Sequence, residues 1–210
     1  MSTHAVTTPP TLVELAARQR RETVGKAIED VAIELFAQRG MADVTVEEVA
    51  ARAGVAVRTL YRYFATKEHI FTGLPRRGAV RLVERMRARP ASESPFKALR
   101  AATAATDPST DFEGVDRWLV ALGQSGSVDR IQLMALTATT EPLTEGLRER
   151  AGAGVPELWA SVAGLMAAGS LIAATAEWAR VGGDLVAHQL ASLDIVGQGL
   201  AKAPKATSSA

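Results

Sequence analysis

The chain has 210 residues, 47% hydrophobic and 22% charged, enough for one sizeable core or two small ones and too apolar for a wholly disordered protein. It contains no cysteine, which excludes a disulfide framework and a thiolate metal site and suits a reducing cytoplasm. Residues 1–90 hold 15 Lys and Arg against 10 Asp and Glu, and residues 91–210 hold 9 against 13, so a basic N-terminal part adjoins an acidic remainder despite a net charge of only +1.

The opening "MSTHAVTTPP" has neither the basic start nor the apolar stretch of a signal peptide. Residues 1–17 are assigned to a disordered arm. From there the pattern is helical throughout, and the expected class is all-α. Ile28, Val31 and Leu35, with Ala32 and Phe36 beside them, bury one face of a first helix, which Gly40 ends in the manner of an αL cap.

Thr45 opens a second helix with the capping-box spacing Thr45-Val46-Glu47-Glu48, whose inner face is Val46, Val49, Ala50 and Ala53. Gly54 breaks it, and a third helix follows from about Ala56 to Phe64. Thr66 is placed to cap a fourth helix running toward Arg89, with Pro75 expected to kink it.

After "ARPASESP" the sequence becomes Ala-rich, with breaks expected at "TDPST", "GQSGS", "TTEP" and "GAGVP". A last helix begins near Asp184, and its apolar residues Val186, Leu190, Leu193 and Leu200 keep a helical period. The uncharged stretch Leu158–Ala176 approaches the length of a membrane span. It consists mainly of small residues between Glu157 and Glu177, which favours a buried helix and no membrane.

Helix, short glycine-containing turn and helix make the helix-turn-helix arrangement. On a wheel of residues 56–64, Leu60 and Phe64 point inward. Arg58 and Arg62 share the opposite face, with Thr59 and Tyr61 beside them. Arg in this setting reads guanine edges in the major groove, while the hydroxyls hold phosphate.

The run "TVEEVAARAGVAVRTLYRYFATKEHIF", with the upstream "AIELFAQRG", resembles the TetR-type transcriptional repressors over about residues 22–71. Thr45, Gly54, Val55, Thr59, Tyr61, Tyr63, Phe64 and Lys67 carry the likeness. It implies phosphate contacts from Thr45, Tyr61, Tyr63 and Lys67, and base-edge contacts from Val57, Arg58, Thr59 and Arg62. Arg18, Arg20 and Arg21 would supply a minor-groove or phosphate arm. Ala56 departs from the Ser common among relatives, which removes a helix cap.

The resemblance further implies a DNA-binding domain over 18–72, a ligand-binding and dimerisation domain over 73–203, and a disordered tail over 204–210. The expected protein is a cytoplasmic, homodimeric repressor on an inverted-repeat operator, released by a lipophilic small molecule and needing no cofactor or metal. The small-sided helix 158–180 and the final helix are expected to form the dimer interface. Met86, Trp118, Met134 and Trp159 are the candidate ligand contacts. The tail "EWARVGGDLVAHQLASLDIVGQGL" resembles that of actinobacterial TetR-type members, the mycofactocin-regulator and acyl-CoA-sensing ones included, which makes an acyl-CoA-like effector one expectation. A constitutive DNA-binding protein is the alternative. A helical enzyme is the remaining one, but His4, His69 and His188 lie far apart and the familiar catalytic and phosphate-binding motifs are absent.

Overall fold

The computed structural model describes residues 11–198. Among them are ten α-helices and no strand: α1 Leu12–Arg39, α2 Val46–Arg52, α3 Val57–Tyr63, α4 Gly73–Arg87, α5 Pro95–Ala104, α6 Pro108–Asp111, α7 Val115–Gly123, α8 Val128–Ala151, α9 Glu157–Val181 and α10 Leu185–Gln198. A 3-10 turn, Glu68–Thr72, joins the head to α4. The described chain is thus all-α, with α1–α3 as an N-terminal helix-turn-helix head.

Several local expectations change. α1 starts inside the expected arm and takes in its last six residues, 12–17. Thr11 accepts a hydrogen bond from the Glu14 amide, and Glu14 reaches back to Thr11, a complete capping box that makes a helix of residues 12–17. The remainder of the expected arm, residues 1–10, and the tail with Leu200 lie outside the described residues. Gly40 has the positive φ of 83° that favours glycine, but its ψ of 148° is extended rather than αL. Thr45 caps α2 through the Glu48 amide. The Glu48 carboxylate does not return to Thr45, because both its oxygens take the Arg39 guanidinium at 2.6 and 2.7 Å.

Two prolines behave unlike expected. Pro75 lies in the first turn of α4, where a missing N–H breaks no intrahelical bond, so the irregularity falls in the 3-10 turn before it. α8 runs unbroken through Pro142. It is held on both sides by α4 and α9, and Leu143, the next residue, is fully buried. Tertiary packing therefore overrides the local break.

Two cores form. The first is rich in large side chains, with Ile28, Phe36, Leu60, Ile70 and Phe71 at its centre, and it extends past the head to Leu74, Trp118 and Ile131. α7 and the start of α8 thus pack with the head, and the expected division at residue 72 cuts through this core. The second core sets five small residues, Ala79, Ala98, Ala102, Ala167 and Ala168, among larger ones such as Leu82, Met86, Leu99 and Leu143.

α9 has the length and apolarity to cross a membrane, yet it packs along α8 and α10. Its small residues Ala160, Gly164, Ala167, Ala168 and Ala174 are buried within the subunit. A Cβ on Gly164 would stand 2.7 Å from the Thr144 Cα, so α8 and α9 approach backbone to backbone there. The small side of α9 is therefore used inside the chain. Its large residues Leu158, Val162, Leu165 and Met166 are exposed instead, spaced as one helical face.

Candidate DNA-reading surface and enclosed cavity

α3 has only seven residues and its N-cap, Ala56, makes no side-chain cap bond. Tertiary contacts hold it. Leu60 is buried in the first core, while Val57, Tyr63 and Phe64 pack partly against it. Arg58, Tyr61 and Arg62 are exposed and Thr59 is half-buried, so the four share the outer face. Val57 faces inward more than base reading requires.

Tyr63 also differs from a free phosphate contact. Its ring lies between two guanidinium groups, Arg21 at 5.9 Å and Arg62 at 5.5 Å from the centroid. The ring also approaches Gly25 of α1, where a Cβ would already be in contact at 3.4 Å. A glycine in mid-helix was the one sequence signal of that close approach. Tyr63 thus braces α3 against α1 and orients Arg62.

Lys67 is half-buried, and its Nζ donates to the carbonyls of Met41 and Val44 at 2.6 and 3.0 Å. It ties the 3-10 turn to the α1–α2 connection, and only its remaining N–H is available to DNA. Thr45 is exposed at the start of α2 with its hydroxyl oxygen accepting from Glu48.

Every described side chain from Thr11 to Thr23 is exposed, so the front of α1 projects from the head for about 18 Å at 1.5 Å per residue. Arg20 and Arg21 stand on this helix; the side chain of Arg18 is outside the description. Arg20 and Arg21 are therefore presented from a helix rather than from an extended strand.

A cavity of about 380 Å³ lies among α4, α7, α8, α9 and α10. Its walls are mainly apolar, with Gly78, Leu82, Trp118, Leu143 and Leu171 among them. The polar side chains in the wall are Gln132, Thr139, Thr175, Gln189 and Arg180. Exposed wall residues Gly123, Ala179 and Arg180 mark its mouth, and Glu177 binds the Arg180 guanidinium at 2.7 and 3.0 Å.

Of the four expected ligand contacts, Trp118 lines the cavity. Met86 is fully buried in the second core, Trp159 is 40% exposed on the outer side of α9, and Met134 is half-buried away from the wall. Sequence reasoning missed Phe112, Thr139 and Gln189. The period Leu185, Gln189, Leu193 on the buried face of α10 was the available sign, since it sets one amide among apolar residues.

The cavity and the head share structural parts. Trp118 donates its indole N–H to the Phe71 carbonyl at 3.0 Å and packs edge-on against the Phe71 ring, which stacks on Phe36 of α1 at 5.7 Å. Beside this, Arg77 of α4 grips the buried Glu29 of α1 at 2.6 and 3.0 Å. Farther along α4, Arg81 and Arg85 close on the buried Asp111, next to the cavity residue Phe112. Burial lowers the Arg81 pKa from its ordinary value, and Asp111 partly offsets that.

Residues 28–74 match the family described as bacterial regulatory proteins, tetR family. The head is thus that of the TetR family of transcriptional regulators. MftR of Mycobacterium tuberculosis, named as a mycofactocin biosynthesis transcriptional regulator, is 54% identical over 52 residues, 25% of this chain and 26% of that protein. The match therefore spans about a quarter of that relative's length. Among solved structures, a TetR regulator from Rhodococcus sp. RHA1 covers 85% of this chain and 97% of its own, with a TM-score of 0.51 at 22% identity. The TetR-family repressor FadR of Thermus thermophilus, solved with lauroyl-CoA, covers 89% and 100%, also at 0.51, with 19% identity. These two likenesses establish the fold beyond the head. The relatives are regulators, not enzymes.

Proposed function

We propose that the protein is a ligand-responsive repressor. It acts in the cytoplasm as a homodimer on an inverted-repeat operator and leaves the DNA when a lipophilic small molecule fills the cavity. The observation that carries this reading is the double role of Trp118, whose ring walls the cavity while its N–H holds the Phe71 carbonyl in the head. A ligand pressing on Trp118, Leu74 and Pro75 acts on the 3-10 turn itself, through Phe71, and on the start of α4 just after it, a common kind of hinge. A differential affinity of about 1–3 kcal/mol for the non-binding arrangement loosens DNA by roughly 5- to 150-fold.

Arg58 and Arg62 read bases in the major groove, and Thr45, Thr59 and Tyr61 hold phosphates, with Arg20 and Arg21 extending the basic track along α1. The exposed apolar row Leu158, Val162, Leu165 and Met166 supports the dimer, since a two-fold axis would cover it with its own copy. Residues 158–180 thus keep the interface expected of them, but through their large outer side chains.

The apolar wall supports a lipophilic effector. An acyl-CoA-like one is less well matched, because Arg180 is the one charged side chain in the wall and Glu177 already holds it. A constitutive binder has no use for an apolar cavity open at one mouth. The test begins with selection of bound duplexes from a random pool, which should return an inverted repeat. Ligand co-purified from the native host is then titrated with and without that operator. Linkage requires the operator to weaken ligand binding by the factor that ligand weakens operator binding. Equal ligand affinities in the two titrations would overturn the switch.

A further inference from the structure

We infer that the effector is an uncharged lipophile bearing a hydroxyl group, and that Gln189 is the residue that recognises it; this rests on the reading of the cavity as the effector site. Gln189 lines the cavity at 3% exposure, and its Oε1 has no hydrogen-bond partner among the described residues. A buried acceptor left unmatched is costly, and such groups mark sites completed by another molecule.

Three other polar groups in the wall have already committed their hydrogens. The Thr139 hydroxyl donates to the carbonyls of Ala135 and Leu136 at 2.9 and 3.0 Å, and the Thr175 hydroxyl donates to Leu171 at 2.8 Å. Each spends its hydrogen on its own helix, so what remains for a ligand is oxygen lone pairs. The indole N–H of Trp118 is likewise committed, to Phe71. These groups thus offer no free hydrogen, and the side-chain N–H donors of the wall belong to Gln132, Gln189 and Arg180.

Carboxylates and esters only accept hydrogen bonds, so neither supplies the hydrogen that the Gln189 oxygen lacks, and a carboxylate would also carry a charge into a largely apolar space. A protonated amine would bring the opposite charge with no carboxylate in the wall to receive it. A hydroxyl donates without charge. The apolar walls take the rest of the molecule.

Calorimetric titration of the full chain with 1-decanol, decyl methyl ether and decanoate tests this. Decanol should bind about tenfold more tightly than the ether, the usual scale for one neutral hydrogen bond to a buried partner, and decanoate more weakly than decanol. In Gln189→Leu, which keeps the bulk and removes the unmatched acceptor, decanol and ether should bind within about twofold of each other. Ether binding as tightly as decanol in the wild type, decanoate binding more tightly than either, or a preference for decanol that survives in Gln189→Leu would each overturn the hydroxyl inference alone. If none of the three bound, the effector reading of the cavity would fall with it. The wild-type comparison stands even if the variant folds poorly.

Discussion

The two cores solve different problems. The head closes around large rings and branched chains, with Phe36 stacked on Phe71 and Leu60 buried beneath the reading helix. Dense packing of that kind has no continuous deformation available, so it holds Arg58 and Arg62 at fixed positions. The body packs helices closely through alanines and glycines and keeps an apolar space of about 380 Å³ between others. A reading surface needs rigidity, and a sensing body needs room. The part that must connect them, α7, belongs by packing to the first core and by its inner side to the cavity. Movement in the body thus reaches the head through Trp118 without loosening the reading helix itself.

The largest effect should come from the outer face of α9, the surface proposed to meet a second copy. Leu165→Arg removes an apolar side chain twice in a symmetric dimer. At about 1.5–3 kcal/mol for each buried Leu, the loss is roughly 3–6 kcal/mol, or about 10²- to 10⁴-fold in the dimer dissociation constant. Sedimentation should find the variant monomeric where the wild type is dimeric. A wild-type monomer at micromolar concentration would break the comparison, since the exposed row would then have no partner copy.

The joint comes next. Glu29 is 3% exposed, and its carboxylate depends on the Arg77 guanidinium. Arg77→Met should destabilise the fold by about 3–5 kcal/mol, because it leaves a buried charge unpaired. Denaturant unfolding measures this. If Glu29→Gln combined with Arg77→Met restores most of the loss, the cost was the stranded charge and the contact itself contributes little.

The head was legible and the body was not, for a physical reason. Arg58, Thr59, Tyr61 and Arg62 are neighbours in sequence because a short helix carries its whole reading face within two turns. The cavity wall is assembled from faces of five helices spread between Leu74 and Gln189, so no single local spacing announces it. Where sequence reasoning failed inside the head, tertiary partners had won over local roles. Lys67 turned to the Met41 and Val44 carbonyls, and Glu48 left its capping position for Arg39. In the body, smallness along α9 signalled close approach correctly but not to which partner, since Gly164 meets Thr144 of the same chain.

The reading face gives a sharper contrast within the head. Arg58→Ala or Arg62→Ala should weaken operator binding by about 1–3 kcal/mol each while leaving unfolding unchanged, as both side chains are exposed. Lys67→Met should do the reverse and lower stability by about 1.5–3 kcal/mol through two lost charge-assisted hydrogen bonds, with the salt dependence of DNA binding kept. Anisotropy titrations over a salt series, beside denaturant unfolding, separate the two patterns. A salt slope shallower by about one for Lys67→Met, at unchanged stability, would return Lys67 to the phosphate contacts.

The smallest effect belongs to the exposed edge of the head, where Arg39 and Glu48 pair across the α1–α2 connection. The hydrogen bonds from Arg39 hold the Glu48 carboxyl below its ordinary value of 4.5, with a lesser contribution from the Thr45 cap. A carboxylate whose pKa is lowered by folding stabilises fully above its unfolded value and loses that stabilisation as pH falls through the folded one. Wild type should therefore exceed Glu48→Gln in melting temperature by a constant margin at neutral pH, and the margin should close as pH drops below 4.5. Solvent screens both groups, so the margin should be small and should shrink further in high salt. Repeating the comparison in an Arg39→Gln background isolates the pair from the effect of a negative charge at the start of α2. A margin that persists unchanged at low pH would mean that Glu48 stabilises the head by packing, and that this edge is as tightly fixed as the core behind it.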